Sequence, residues 1–411
     1  MENSKPFFKL LKNVHVFAPE DKGIQDILIA GEKIAAMGKD LFLPPVYQCQ
    51  VIEGNGLSAV PGFMDAHVHI IGGGGGGVGP ASACGGGGGK GGFQTRTPEI
   101  QLSKITTAGV TTVFGLLGTD GITRHVESLL AKARGLENEG ISTYIYSGSY
   151  EMPTPTITGS VRRDIVLIDK VIGTGEIAMS DHRSSQSPVS AYREITAEAR
   201  VGGMLSGKAG VVNMHIGDGT VAIKYWRKTP ANGELPKTQV IPTHVNRNKH
   251  LFADAIDWAK SGGLMDFTSS IAPKDDDDPV VKTSKGIRQA LDAGVPLRQI
   301  SVSSDGNGSM PIFDDSGNNI GVGVANEDSL LKEFRDLVQE EGLSLSDALT
   351  VFTSNVAQNT KLYPKKGCLA EGSDADILLL DDKLQLNATF ARGQQMVKDG
   401  KAIVFGTFEE H

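Results

Sequence analysis

Residues 61–69 read PGFMDAHVH: a Pro-Gly entry, an apolar run from Phe63, and two histidines, His67 and His69, separated by one residue. Alternate residues of a strand share a face, so both imidazoles can be aimed the same way at the strand end. Working outward, similar short β-type runs recur at Val110–Leu116, Ser142–Tyr146, Gly175–Met179, Val211–His215, Val240–His244, Leu264–Thr268 and Gln299–Ser303. Helical patterns lie between them, including Thr123–Asn138, with Val126, Leu129, Leu130 and Ala133 on one face, and Asn248–Lys260. Strands alternating with helices over residues 62–361 predict an α/β chain whose parallel strands close into a (β/α)8 barrel of the TIM type. A doubly wound open sheet is the rival, because periodicity alone does not close a barrel.

The two ends read differently. Residues 1–61 hold short strand candidates at Val14–Ala18, Ile24–Ile29 and Lys33–Met37, and residues 362–411 hold more at Ala375–Leu380, Ala388–Phe390, Gln395–Val397 and Ala402–Val404. Two β-rich ends flanking a barrel most economically pair into one small β domain. The acidic run Asp275–Asp278 reads as a solvated loop.

Composition narrows the function classes. With 40 Lys and Arg against 48 Asp and Glu, the chain has no basic footprint for nucleic acid or an anionic membrane. No stretch reaches the ~18–20 apolar residues that cross a bilayer, and the start has no secretory h-region. Three widely separated cysteines, Cys49, Cys84 and Cys368, make no disulfide framework and fit a reducing cytoplasm. Much of the glycine, 52 residues in all, is concentrated in GGGGGGVGPASACGGGGGKGG at 72–92. That tract buries no apolar surface and reads as a loop. It is not a phosphate-binding P-loop, because Lys90 is followed by Gly91 and not by Ser or Thr.

The chemistry collects at the carboxyl ends of the predicted strands, where parallel barrels build their sites. His67 and His69 end the first, Glu176 lies in the fourth, His215 ends the fifth, His244 the sixth, and Asp305 follows the eighth. Imidazole and carboxylate ligands suit Zn2+ and related divalent ions. Six ligand-type groups exceed the needs of one zinc, whereas two metals sharing a carboxylate and a hydroxide would use all of them. Asp305 can serve as ligand and as the acceptor that later returns a proton to a leaving amine. His15, His125, His182, His250 and His411 read as structural.

PGFMDAHVH resembles the amidohydrolase superfamily. Within it, SDHRS (180–184), MHIGD (214–218), PTHVNRN (242–248) and SSDGNGS (303–309) resemble the isoaspartyl dipeptidase branch, and the likeness runs almost end to end. The resemblance implies a TIM barrel of amidohydrolase type with a small β-sandwich domain formed by both termini. It implies a metallohydrolase that cleaves the β-aspartyl bond of dipeptides, with two zinc ions per subunit. His67, His69 and Asp305 would hold one zinc and His215 and His244 the other. Glu176 would bridge the two where many members carry a carboxylated lysine, leaving Lys170 and Lys208 as ordinary lysines. The nucleophile implied is a hydroxide bridging the metals. Asp305 and Tyr150 are the implied catalytic residues, Tyr150 donating to the developing oxyanion. Arg183 and Arg247 correspond to a clamp on the substrate α-carboxylate, a task suited to a planar guanidinium. Gly74, Thr119 and Ser309 complete the implied substrate contacts. The family likeness also implies a homo-oligomer, an octamer built from dimers.

The sequence departs from that pattern after His69. The family's loop continues with a glutamate that holds the substrate ammonium; here an insertion of about a dozen residues follows the first glycines, and no glutamate occurs before Glu99. Lys90, of opposite charge, takes the nearest position, so impaired dipeptidase activity is expected. Two other readings remain. One keeps the machinery for an N-acyl-amino-acid deacylase or a cyclic-amide hydrolase; the other is a non-catalytic scaffold, disfavoured because every metal-ligand position is filled.

Overall fold

The computed structural model describes residues 7–73, 93–94, 96–221, 223–227, 234–275, 277–313 and 319–410. Gly74, Lys90, most of the glycine tract and His411 therefore lie outside the described residues.

The first strands are β1 (Phe8–Phe17), β2 (Asp21–Ala30), β3 (Lys33–Gly38), β4 (Cys49–Glu53) and β5 (Ser58–Pro61). Strands β6 (Phe63–Val68), β7 (Val110–Gly115), β8 (Ser142–Ser147), β9 (Val171–Met179), β10 (Val211–Ile216) and β11 (Val240–Thr243) form one parallel sheet in sequence order. Strands β12 (Met265–Thr268) and β13 (Ile300–Ser303) form a second parallel pair. Apart from half-buried Tyr144 on β8, every residue of β6 to β13 is buried, as expected of strands covered on both faces. Backbone contacts, among others, join these sheets: Val245 N, just beyond β11, donates to Asp266 O in β12, and His69 N, just beyond β6, donates to Gly306 O, just beyond β13. The parallel strands thus curl around a shared interior.

Strand β9 begins four residues before the sequence pattern suggests. Gly173 and Gly175 interrupt its apolar run, but they are required by packing: a Cβ on Gly173 would sit 2.2 Å from Val211 O on β10. The hairpin β14 (Ser309–Phe313) and β15 (Asn319–Val324) that follows the Asp305 loop lies beyond the eight barrel strands expected from the sequence.

The chain ends do meet. Strands β16 (Ile377–Leu380), β17 (Leu386–Ala391), β18 (Gln394–Lys398) and β19 (Lys401–Ala402) continue the N-terminal strands, with β16 antiparallel to β5 through pairs such as Ile377 with Pro61. Together they make a single nine-stranded sheet over its own core, including Leu11, Val14, Ile27, Ile29, Ile377 and Phe390. The larger core lies between the curled strands and their helices, where Val126, Leu129, Ala133 and Leu136 of helix Val126–Glu139 are buried. Among the described residues no helix is long and apolar enough to cross a membrane.

Candidate metal centre and substrate cavity

The strand ends bring all six ligand-type side chains together. His67 leaves β6 fully buried, with Nε2 3.5 Å from both Glu176 Oε2 and Asp305 Oδ1. His69 Nε2 lies 3.0 Å from Asp305 Oδ1. His244 Nε2 is 3.1 Å and His215 Nδ1 2.6 Å from Glu176 Oε1. Two groups, His67 with Glu176 and His244, and His67 with His69 and Asp305, each offer ligand atoms within 4.8 Å of one another.

This donor set fits a divalent cation. Both ring nitrogens of His67, and Glu176 Oε2, are buried without a hydrogen-bond partner among the described residues, and buried polar atoms are rarely left so. Electrostatics point the same way. Burial would lower the His67 pKa, yet Glu176 and Asp305 overcome it and push it up to about 9. Burial would raise Glu176, yet His67, His215 and His244 hold its carboxyl well below the usual range. His244 is driven down to about 3 by burial, against the opposing effect of its hydrogen bond to Glu176. A pocket with two carboxylates that draws a proton onto a buried imidazole is built for positive charge.

The backbone is adapted to this convergence. His244 (φ 63°) and Asp305 (φ 57°) occupy the left-handed region, unusual for residues with side chains. Gly308 lets the Asp305 loop close over the site, since a Cβ there would lie 2.8 Å from Asp305 Oδ1 and 3.0 Å from His69 Cδ2.

The centre opens into a cavity of about 730 Å³. Tyr150, Thr119, Arg183, Arg247 and Ser309 all line it, beside His69, His215 and Asp305. Tyr150 Oη lies 2.8 Å from His215 Nδ1, so the phenol points at the ligand cluster. Burial pushes its pKa well above the ordinary value, which keeps it a neutral donor. Arg183 stacks over the Tyr150 ring, 5.1 Å from its centroid. His250, read as structural from sequence, also lines the cavity: it follows Asn248, which caps helix Lys249–Lys260, and that helix start faces the opening. His182 is half exposed, 3.7 Å from Asp181. Lys170 is engaged by Glu137 and by Thr143 O, and Lys208 Nζ donates to the carbonyls of Ile165, Ile168 and Val171.

Several residues at the site carry no sequence signal of their own. Thr268 Oγ1 meets His244 Nδ1 at 2.8 Å. Asp65 accepts from Ser304 and from His67 N, tying the first strand to the Asp305 loop. Asp181 accepts from Arg183 and meets His215. Only the DAH and SDHR spacings could have drawn attention to the two aspartates.

Comparison with known proteins settles the family. A β-aspartyl dipeptidase of Fervidobacterium islandicum, solved in complex with the β-Asp-Leu dipeptide, is 43% identical, with a TM-score of 0.84 over 96% of this chain and 98% of that one. The chain belongs to the β-aspartyl dipeptidase family of amidohydrolases. It is thus a hydrolase of a family that is typically metal-dependent. A second structure of the F. islandicum enzyme agrees at 41% identity and TM-score 0.83, covering 96% of this chain and 98% of that one. The amidohydrolase family model matches residues 236–404. A dihydropyrimidinase of Brevibacillus agri shares the fold at 18% identity and TM-score 0.66, over 97% of both chains. A local match of 41% identity to a dihydroorotase of Elusimicrobium minutum covers 63 residues, 15% of this chain and 14% of that protein.

Proposed function

We propose that the chain is a binuclear zinc β-aspartyl dipeptidase. The observation that carries this reading is the pairing of the six-residue ligand cluster with two arginines, Arg183 and Arg247, that line the cavity it opens into. We read the architecture as a (β/α)8 barrel over residues 62–361 with a small β-sandwich domain from residues 1–61 and 362–411. In this reading His67, His69 and Asp305 would hold one zinc and His215 and His244 the other, with Glu176 shared between them and no carboxylated lysine needed. Bound there, the metals would supply polarisation of the scissile carbonyl and a water nucleophile near neutral pH.

The residues divide the remaining work. Arg183 and Arg247 hold the substrate α-carboxylate, and Thr119 and Ser309 position the aspartyl end. Water adds to the side-chain amide carbon while Asp305 takes its proton. Tyr150 donates to the oxygen on which negative charge develops. The C–N bond then breaks as Asp305 returns the proton to the leaving nitrogen, giving aspartate and a free amino acid. We further propose a cytoplasmic homo-oligomer, an octamer built from dimers, acting on small dipeptides and not on nucleic acid or membranes.

The test is hydrolysis of a panel of β-aspartyl dipeptides beside N-acetyl-amino acids and cyclic amides such as dihydroorotate, with metal content measured on the same sample. Preference for β-Asp-Leu at about two zinc ions per chain supports the reading. Preference for an N-acyl or cyclic substrate replaces it with the second enzyme, and a metal-free, inactive protein replaces it with the scaffold.

A further inference from the structure

Asp181 follows the fourth parallel strand, in a turn with little freedom. Ser180 before it has φ 56°. Gly217 and Gly219 pack flush against the turn: a Cβ on Gly217 would lie 2.5 Å from Asp181 Cβ, and one on Gly219 would lie 2.7 Å from Ser180 O. Gln186 Nε2 donates to Asp181 O at 2.9 Å, closing the turn from the other side. The Asp181 side chain is 3% exposed, so its oxygens go where the backbone sends them.

Both oxygens are used. Oδ1 accepts from Arg183 N at 2.8 Å and from Arg183 Nε at 2.9 Å. Oδ2 accepts from Arg183 Nη2 at 2.8 Å and lies 2.9 Å from His215 Nε2. Nδ1 lies 2.6 Å from Glu176 Oε1, so both ring nitrogens of His215 face a carboxylate. With a cation taking the Nδ1 lone pair beside Glu176, the hydrogen of a neutral His215 sits on Nε2, where Asp181, which as a carboxylate only accepts, receives it. A metal ligand needs that free lone pair, and the partner of the other nitrogen decides which tautomer supplies it.

The same carboxylate orders Arg183. A guanidinium has five N–H donors in a planar fork. Asp181 takes the Nε–Nη2 edge, which leaves the Nη1 side for a second carboxylate in the cavity that Arg183 lines. We infer that Asp181 is a positioning residue that couples the two halves of the site, fixing the His215 tautomer for a metal and the Arg183 fork for the substrate carboxylate. The inference rests on the roles proposed above for His215 and Arg183.

The experiment compares Asp181→Ala, Asp181→Asn and Arg183→Gln with the parent protein. Zinc affinity is read by chelator competition, on protein shown to be folded by circular dichroism. Affinity for β-Asp-Leu is read as KM, or by calorimetry on the zinc-loaded protein if turnover is absent. Asp181→Ala is expected to lose about ten- to a hundredfold in zinc affinity and to bind β-Asp-Leu at least about tenfold more weakly. The amide of Asp181→Asn cannot accept at both ends, so it loses about tenfold in one of the two readouts. Arg183→Gln weakens β-Asp-Leu alike but keeps zinc affinity within about threefold, because His215 retains its acceptor. Folded Asp181→Ala with parental zinc affinity would overturn the coupling, as would Arg183→Gln that weakens zinc equally. Should Asp181→Ala not fold, parental values of both readouts in Asp181→Asn overturn it. Loss of zinc affinity in a protein that neither binds nor cleaves β-Asp-Leu instead removes the proposed substrate and leaves the link to His215 standing.

Discussion

Arg247→Gln isolates carboxylate recognition better than any change at Arg183. The Arg247 side chain is 14% exposed, its Nε has no partner among the described residues, and Asp218 is 4.0 Å away. Asp218 has another partner, Asn248 Nδ2 at 3.1 Å. Shortening Arg247 therefore strands no tightly held carboxylate, and the cost to stability should stay below about 1 kcal/mol. The loss should fall on ligand binding. A charge-assisted hydrogen bond to a carboxylate contributes about 1.5–3 kcal/mol. At ~1.4 kcal/mol per decade this is roughly a 12- to 150-fold rise in KM for β-Asp-Leu. The turnover number should change by less than about threefold, because the clamp holds ground and transition states alike. The assay is steady-state hydrolysis of β-Asp-Leu and of the same dipeptide with its α-carboxylate amidated. Parent and variant should converge on the amidated form. A KM within threefold of the parent, or equal losses on both substrates, would refute the reasoning.

Asp305→Asn should lower kcat by about 10²–10⁴-fold with a much smaller effect on KM, since proton transfer belongs to the transition state; retention of kcat within a few-fold in rapid-quench or steady-state assays removes the assignment. Glu176→Gln should lower zinc content and activity together, because Glu176 meets His215 and His244 and borders His67; elemental analysis showing full zinc occupancy places the bridge elsewhere. Glu327 is buried with Oε1 unpartnered, and burial raises its pKa to about 7. The folded chain therefore holds its proton where the unfolded chain has released it, and stability falls as pH rises from about 4.5 to 7. Glu327→Gln should thus gain up to about 3 kcal/mol in denaturant unfolding at pH 8 and gain nothing at pH 4.5. For the glycine tract, deleting the insertion together with Lys90→Glu should restore tight β-Asp-Leu binding at unchanged zinc content, since the segment after His69 carries a lysine and no glutamate to pair with a substrate ammonium; equal kinetics of parent and repaired chain would show that the tract is neutral.

What the sequence revealed followed chemical rarity. Histidines and carboxylates at the ends of apolar runs stand out because such positions are usually apolar, and all six of them meet at one place. The pairing of the chain ends was legible for a similar reason: β-type runs without helices need partners, and Ser58–Pro61 finds Ile377–Leu380. Strand β9 was read short because Gly173 looks like a break in the pattern, when its missing side chain is what lets β10 approach. The β14–β15 hairpin is harder to read: Ile320, Val322 and Val324 do alternate, but Gly321 and Gly323 between them and Pro311 in the partner strand are residue types that usually mark turns.

The residues that orient the ligands were illegible for a different reason. Asp181, Thr268 and Asp65 are ordinary residue types, and a 411-residue chain has many like them. What distinguishes them is a hydrogen bond to an atom distant in sequence: Thr268 to His244 across 24 residues, Asp181 to His215 across 34, Ser304 to Asp65 across 239. Such a bond costs the neighbouring sequence nothing and leaves no local pattern. It matters because a buried imidazole has two nitrogens that compete for one hydrogen, and only its partner selects which nitrogen keeps a lone pair. The ligand list alone therefore underdetermines the centre. On the coupling proposed above, the same His215 would bind a cation through Nδ1 or fail to, depending on a carboxylate that periodicity and composition give no reason to single out.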